Sequence, residues 1–151
     1  MAARLKSDAP AFMLPKAPPK RKVERRMRDK DYLSFLHRLP CCVSGAYGDV
    51  IAHHITMGRG RMGVKEDDSL ALPLSNTLHD QHSNALHVVS ERVFWTRWAI
   101  NPFDLCRDLC DLYEQQGPNV PAAVALLHGH RLVAQKRLEA GLKLFPGKDQ
   151  G

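Results

Sequence analysis

A chain of 151 residues, 44% of them apolar, is long enough for about one domain with a single hydrophobic core. No apolar run approaches the roughly 20 residues of a membrane span, and the first residues lack the apolar segment of a signal peptide, so we expect a cytosolic protein without membrane partners. In that compartment the four cysteines are expected to be thiols or metal ligands rather than disulfides.

The net charge of +6 is concentrated near the N-terminus. Residues 1–30 contain ten lysines and arginines against three acids, a local charge of +7, whereas the remaining 121 residues contain twelve against thirteen. Four prolines interrupt the same stretch, and such a composition buries too little apolar surface to fold alone. We interpret it as a disordered basic arm for nucleic-acid phosphates, the alternative being a solvated tail that aids solubility. Its DNA-binding candidates are Lys20, Arg21, Lys22, Arg25 and Arg26.

The predicted elements begin with a short helix at about 29–38, where apolar residues recur at helical spacing until Pro40. Two β-prone runs near 41–43 and 49–53, joined by a turn that contains glycine, predict a hairpin. A long loop rich in glycine and charge follows at 56–69. A helix capped by serine or asparagine is predicted to start near Ser75.

The rest of the chain is predicted to be helical. The segment SERVFWTRWAI carries an aromatic stripe that could stack on bases, although such a stripe at helical spacing is far more typical of a core. In NPFDLCRDLCDLYEQQG, Asn101 is the expected cap, Pro102 opens the helix and Gly117 closes it. A last helix is expected in PAAVALLHGHRLVAQKRLEAGLKLF.

These elements predict an α+β fold that is mainly α. A small hairpin–loop–helix core would carry flanking helices. The expected organisation is an arm at 1–30, a domain with the hairpin and its supporting helices at 31–115, and a C-terminal helical extension at 116–151.

Two adjacent histidines, His53 and His54, stand at the end of the second predicted strand. Successive strand residues point to opposite faces of a sheet, so at least one of the pair needs a special reason to be there. His79 and His82 are three residues apart on one face of the predicted helix and could converge on one ion, with His87 as a weaker partner. A strand-end imidazole facing helix imidazoles would leave coordination positions open for water and phosphate, as a catalytic metal site requires.

The stretch that contains these histidines resembles the HNH (ββα-metal) endonuclease motif, and in particular the phage recombination-enhancement (Ref) nucleases and related prophage proteins. The shared features are a paired histidine, a Gly-rich stretch ending in Met-Gly-x-Lys, an acidic-apolar segment into Pro-Leu, and a helix with histidine. The similarity covers roughly residues 31–110. The matching residues are His53, His54, Gly58, Gly60, Met62, Gly63, Lys65, Asp68, Pro73, Leu74, His79, Gln81 and His82.

The resemblance implies a metal-dependent endonuclease that hydrolyses DNA phosphodiester bonds. His54 would be the general base, and His53 would hold the ion with His79 first, His82 second and His87 third in rank as helix ligands. The expected ion is Mg²⁺ or Mn²⁺, and a site rich in histidine also tolerates Zn²⁺. The resemblance further implies a bacterial protein encoded by a phage or prophage, active in recombination or repair, with a RecA-type filament as partner.

The Gly-rich loop supplies further DNA-positioning candidates, because small residues let the backbone approach phosphate. A mobile basic surface loop would have the same sequence pattern. The candidates are Arg59, Arg61 and Lys65.

The sequence departs from the family pattern at the positions of a structural zinc knuckle. Where relatives have Cys-x-x-Cys and Leu-Cys, this chain has Cys41-Cys42-Val43-Ser44 and Leu74-Ser75, so the knuckle is expected to be absent or altered. Cys106 and Cys110 could join Cys41 and Cys42 around zinc, but core packing is the favoured interpretation. Asn76 is either the middle residue of the HNH motif or a helix cap.

The alternative function is a catalytically silent nucleic-acid-binding module with an HNH-like fold. The replaced cysteines and the irregular histidine spacing favour it, and salt-sensitive binding without cleavage would identify it. A purely structural zinc protein is disfavoured, because no Cys-x-x-Cys pair is present.

Overall fold

A computed structural model describes residues 28–57 and 67–142 of the chain. The basic arm up to residue 27 and the loop residues Arg59, Arg61 and Lys65 lie outside the described residues, as do the matched positions Gly58, Gly60, Met62 and Gly63. The described part is mainly helical with one small antiparallel sheet, which confirms the predicted α+β class. Its elements are α1 (Lys30–His37), β1 (Val50–His54), a 3₁₀ turn (Asp68–Leu70), β2 (Ala71–Ser75), a π-helical turn (Thr77–Gln81), α2 (Leu86–Val89), α3 (Glu91–Trp98), α4 (Pro102–Gln116) and α5 (Val120–Glu139).

The helix ends follow local capping chemistry. Asp29 accepts a hydrogen bond from the Tyr32 N–H at the start of α1. The Asn101 side chain accepts from the first N–H groups of α4, and the helix ends at Gly117, whose φ of 66° suits glycine. The predicted helices at 29–38 and in NPFDLCRDLCDLYEQQG are therefore confirmed nearly to the residue, and α3 lies within its predicted segment. The last helix is confirmed, but α5 ends at Glu139, earlier than predicted.

The predicted hairpin of 41–43 with 49–53 is wrong in its first strand. β1 pairs antiparallel with β2, in a register that sets His53 opposite Leu72 and His54 opposite Ala71. Residues 41–43 form no strand, although the Cys42 N–H donates to the Pro73 carbonyl at 2.8 Å.

β2 lies in the segment that the sequence pattern assigns to the lead-in of a helix. Its residues 71–74 are all buried, so the run lacks the alternation that marks a half-exposed strand. Pro73 also argues against a strand, and it is tolerated here because the sheet has only two strands.

One hydrophobic core joins all parts of the described chain. It includes side chains from α1, β2, α3, α4 and α5, with Trp95 and Phe94 fully buried, so the aromatic stripe of α3 belongs to the core as favoured above. Ala123, Leu127 and Ala134 bring α5 into the same core. Among the described residues no helix has the length and apolar character needed to cross a membrane.

The four cysteines are buried free thiols. Cys41, Cys42 and Cys106 pack in the core cluster, and the Cys106 thiol lies 3.9 Å from the Ala71 carbonyl. Among the described residues, which include all four, the one group with metal-ligand spacing contains histidines alone. Core packing, the favoured interpretation, therefore accounts for the cysteines.

Candidate metal centre

Three histidines from three different elements converge on one point. His53 lies on β1, His79 on the π-helical turn and His87 on α2, and one ring nitrogen of each lies within 4.8 Å of the others. The Nε2 atoms of His79 and His87 are 2.9 Å apart. Two nitrogens bound about 2.05 Å from a shared ion are about 2.9 Å apart at a right angle and about 3.3 Å apart at a tetrahedral angle. The spacing therefore fits a shared ion.

The π-helical turn sets the position of His79. The His82 N–H donates to the Thr77 carbonyl at 2.9 Å, which closes a turn one residue wider than that of an α-helix. Burial, together with the imidazoles of His53 and His87, lowers the pKa of His79. The neutral form that a metal ligand must have is therefore favoured.

His82, predicted as the second helix ligand, lies outside this cluster. The helical turn ends at Gln81, and the backbone of His82 is extended, with φ −99° and ψ 150°. Its exposed ring accepts a hydrogen bond from the Asn84 N–H at 3.1 Å. The predicted continuous helix is wrong here: a turn at residues 82–85 brings α2 back toward His79, so His87 rather than His82 joins the cluster.

His53 is 6% exposed and bonded to a carboxylate that no sequence pattern indicated. Its Nε2 lies 2.7 Å from Oε1 of Glu91, the first residue of α3. Glu91 also accepts hydrogen bonds from Thr56 and Met57, where the chain leaves β1. Burial raises the pKa of Glu91, but the hydrogen bonds from His53, Met57 and Thr56 outweigh burial and lower it. No local pattern marks Glu91, since its partners lie 34 to 38 residues earlier.

His54 is bonded to a different carboxylate. Its Nε2 lies 2.9 Å from Oδ1 of Asp68, which is 4% exposed and also accepts from the Asp29 N–H at 2.8 Å. Burial raises the pKa of Asp68, and the hydrogen bonds from His54 and Asp29 outweigh it and lower that pKa. An ionised carboxylate only accepts, so Nε2 of His54 donates to Asp68, and in the neutral ring the lone pair is on Nδ1. The His54 side chain is 30% exposed and open to solvent.

Both members of the histidine pair border one cleft, although strand alternation gives them different carboxylates. The cleft has a volume of about 510 Å³. β1 ends at His54. The lining of the cleft includes His53, His54, Thr56, His79, His87, Ser90 and Glu91.

A single residue joins the two helices that supply His87 and Glu91. Ser90 ends α2 and caps α3, where its hydroxyl accepts from the Val93 N–H at 3.5 Å. Its backbone has φ 93° and ψ 150°, a region that residues other than glycine rarely adopt.

Asn76 lies away from the cleft lining. Its side-chain amide donates to Asp49 Oδ1 at 2.6 Å, and its N–H donates to the Asp49 carbonyl, one position beyond the Val50 and Ser75 pair. It makes no side-chain capping bond, and Ser75 accepts from the Leu78 N–H instead. The capping role for Asn76 was therefore wrong, and the residue ties the strands together at the end of the sheet opposite His54.

Comparisons with known proteins return one family. No curated protein and no solved structure matches the chain. A family model described as a protein of unknown function, DUF968, matches residues 2–93, a stretch that holds the three clustered histidines with His54, Asp68 and Glu91. Because the match covers more than half of the 151 residues, the chain belongs to the DUF968 family.

Proposed function

We propose that the chain is a metal-dependent endonuclease that hydrolyses DNA phosphodiester bonds at an HNH-like site. One observation carries the proposal: His54, whose Nε2 is bonded to Asp68, borders the same cleft as the three clustered histidines. A base and an ion beside each other can activate water and bind the phosphate that the water attacks.

His54 would act as the general base. Nδ1 is the atom that takes the proton from water, since Nε2 is committed to Asp68. Asp68 would hold the ring in this tautomer and stabilise the imidazolium that forms, as a positioning residue. The His54 side chain is partly exposed, so water would reach the ring.

His53, His79 and His87 would hold one ion. When bound, the ion would neutralise charge on the phosphate and on the leaving oxygen. Three imidazoles favour Zn²⁺ or a related late transition ion, whereas Mg²⁺ and Mn²⁺ prefer oxygen ligands, so this donor set favours Zn²⁺ over the Mg²⁺ or Mn²⁺ expected from the resemblance.

The choice of DNA as substrate rests on the resemblance to HNH nucleases and on the basic residues of the arm and the Gly-rich loop. A RecA-type filament as partner, and a phage or prophage origin, rest on the same resemblance. These parts of the proposal are open to separate tests.

The test is a nicking assay on supercoiled plasmid and on single-stranded DNA. Zn²⁺, Mn²⁺, Mg²⁺ and EDTA are compared, each with and without RecA filaments. His54→Ala should lower the cleavage rate by about 10²-fold or more while metal binding persists. The matched control is His128→Ala, an exposed histidine of α5, which should cleave like wild type.

Two outcomes would contradict the proposal. Normal cleavage by His54→Ala would remove the base. Salt-sensitive DNA binding without cleavage under every condition would replace the nuclease with the silent binding module.

A further inference from the structure

Glu91 is surrounded by hydrogen-bond donors from one other part of the chain. Its side chain is only 9% exposed. Oε1 receives His53 Nε2 at 2.7 Å, and Oε2 receives the Thr56 N–H at 3.0 Å, the Thr56 hydroxyl at 2.9 Å and the Met57 N–H. One carboxylate thus bonds both to a metal-ligand candidate and to Thr56 and Met57, two described residues that follow β1.

This arrangement determines which ring nitrogen of His53 is protonated. Two backbone N–H groups and a hydroxyl occupy Oε2, so the carboxylate acts as an acceptor. His53 must then donate through Nε2. A neutral imidazole carries one N–H, so the lone pair of His53 is on Nδ1.

The same carboxylate holds an unfavourable backbone conformation. Met57 has φ 47°, in the left-handed region that residues with a side chain seldom occupy. Its N–H is one of the donors to Glu91. Loss of the carboxylate would therefore release both the His53 ring and the Met57 backbone.

We propose that Glu91 is a positioning residue that makes Nδ1 of His53 the metal-binding nitrogen and couples that choice to the backbone at Thr56 and Met57. The inference rests on the metal site of the proposed function. A carboxylate that orients a ligating histidine through its second nitrogen is a general feature of metal centres, and its loss costs about 10- to 100-fold in metal affinity.

Glu91→Gln gives a sharp test, because the amide has one acceptor and one donor end. Thr56 and Met57 present three donors and would hold the amide oxygen. The NH₂ group would then face His53, whose Nε2 must accept, so the proton would move to Nδ1. The expected results are a reversed His53 tautomer and a Zn²⁺ affinity lower by about 10- to 100-fold.

The experiment is long-range ¹H–¹⁵N correlation NMR on the full chain labelled with ¹⁵N-histidine, with the His53 signals assigned by their loss in His53→Ala. Wild type without metal should show His53 protonated at Nε2, and added Zn²⁺ should shift Nδ1. Glu114→Gln, an exposed change on α4, is the matched control and should leave the His53 signals unchanged.

The wild-type spectrum alone can overturn the inference, even if Glu91→Gln does not fold. A proton on Nδ1, or a Zn²⁺ shift at Nε2, would show that Glu91 does not make Nδ1 the ligand. Zn²⁺ that fails to bind while Glu91→Gln still reverses the tautomer would overturn the metal site of the proposed function and support the positioning by Glu91.

Discussion

At the scale of single residues, Asp68 connects the candidate base to the start of α1. Its Oδ1 accepts a hydrogen bond from His54 and its Oδ2 accepts one from the Asp29 N–H. A guanidinium nitrogen of Arg28 lies 3.4 Å from Oδ1. Asp29 is also the cap of α1. The orientation of the His54 ring therefore depends on where the chain enters α1.

The substitution Asp68→Asn tests this dependence. The oxygen of the new amide would be held by the Asp29 N–H, so its NH₂ group would face His54 and reverse the tautomer of that ring. We expect the cleavage rate to fall by about 10²- to 10⁴-fold, and Zn²⁺ affinity to change only a few-fold. Asp108→Asn alters the distant pair of Asp108 with His130 and is the control. Cleavage by Asp68→Asn at the wild-type rate would contradict the role given to Asp68.

The third metal ligand is tested by two single substitutions. His87→Ala removes a member of the cluster, and His82→Ala removes a histidine outside it. We expect His87→Ala to lower Zn²⁺ affinity by at least about 100-fold, beyond the usual cost of losing an indirect partner. His82→Ala should bind Zn²⁺ like wild type, and competition titration with a chromophoric chelator measures both. Equal losses in the two variants would restore the ligand set expected from the sequence.

At the scale of elements, local signals predicted the helices and tertiary contacts decided the rest. Asn101, Pro102 and Gly117 mark the ends of α4 in the sequence itself. β2 has no such marks, because its partner strand is distant in sequence and both of its faces are covered. The π-helical turn has no such marks in the sequence either, so regular helix spacing predicts His82 rather than His87 as the second helix ligand. Spacing and resemblance single out His53, His54 and His79 in the sequence, whereas Glu91 depends on contacts distant in sequence.

Because all four cysteines are buried, we expect their thiols to be chemically unreactive. Burial raises the pKa of Cys42, Cys106 and Cys110, so their reactive thiolate forms are scarce. Cys41 has a lowered pKa because hydrogen bonds to Ser44 outweigh burial, but its side chain is fully covered. We expect native protein to resist iodoacetamide and unfolded protein to be alkylated at all four sites, as measured by mass spectrometry. Rapid native alkylation that Zn²⁺ prevents would instead indicate thiolate ligands.

At the scale of the whole molecule, the site depends on parts of the chain beyond the family match. The match ends at residue 93, yet α4 and α5 supply Leu105, Leu109 and Leu127 to the one core. Arg137 also reaches back to the Ala99 carbonyl at 3.2 Å, at the end of α3. The helices after residue 93 therefore support the element on which Glu91 lies.

Two deletions separate the role of the basic arm from that of the α1 cap. Removal of residues 2–27 takes away eight lysines and arginines but keeps Arg28 and Asp29. We expect weaker DNA binding and unchanged thermal stability. The slope of log affinity against log salt concentration should become shallower by about 0.9 for each phosphate that the arm neutralises. Removal of residues 2–30 should in addition lower the melting temperature, because it deletes the α1 cap and the hydrogen bond from Asp29 to Asp68. Identical salt slopes before and after the shorter deletion would exclude the arm from binding.

Ser90 has a consequence for the evolution of this site. Its backbone conformation costs about 1–3 kcal/mol, and glycine would adopt it without that cost. The easiest route to a more stable protein at this position is therefore Ser90→Gly, which would also make a hinge between the helices that carry His87 and Glu91. A lineage under selection for stability alone would be expected to accept that change, and one that needs the two side chains at a fixed distance would retain the strained serine.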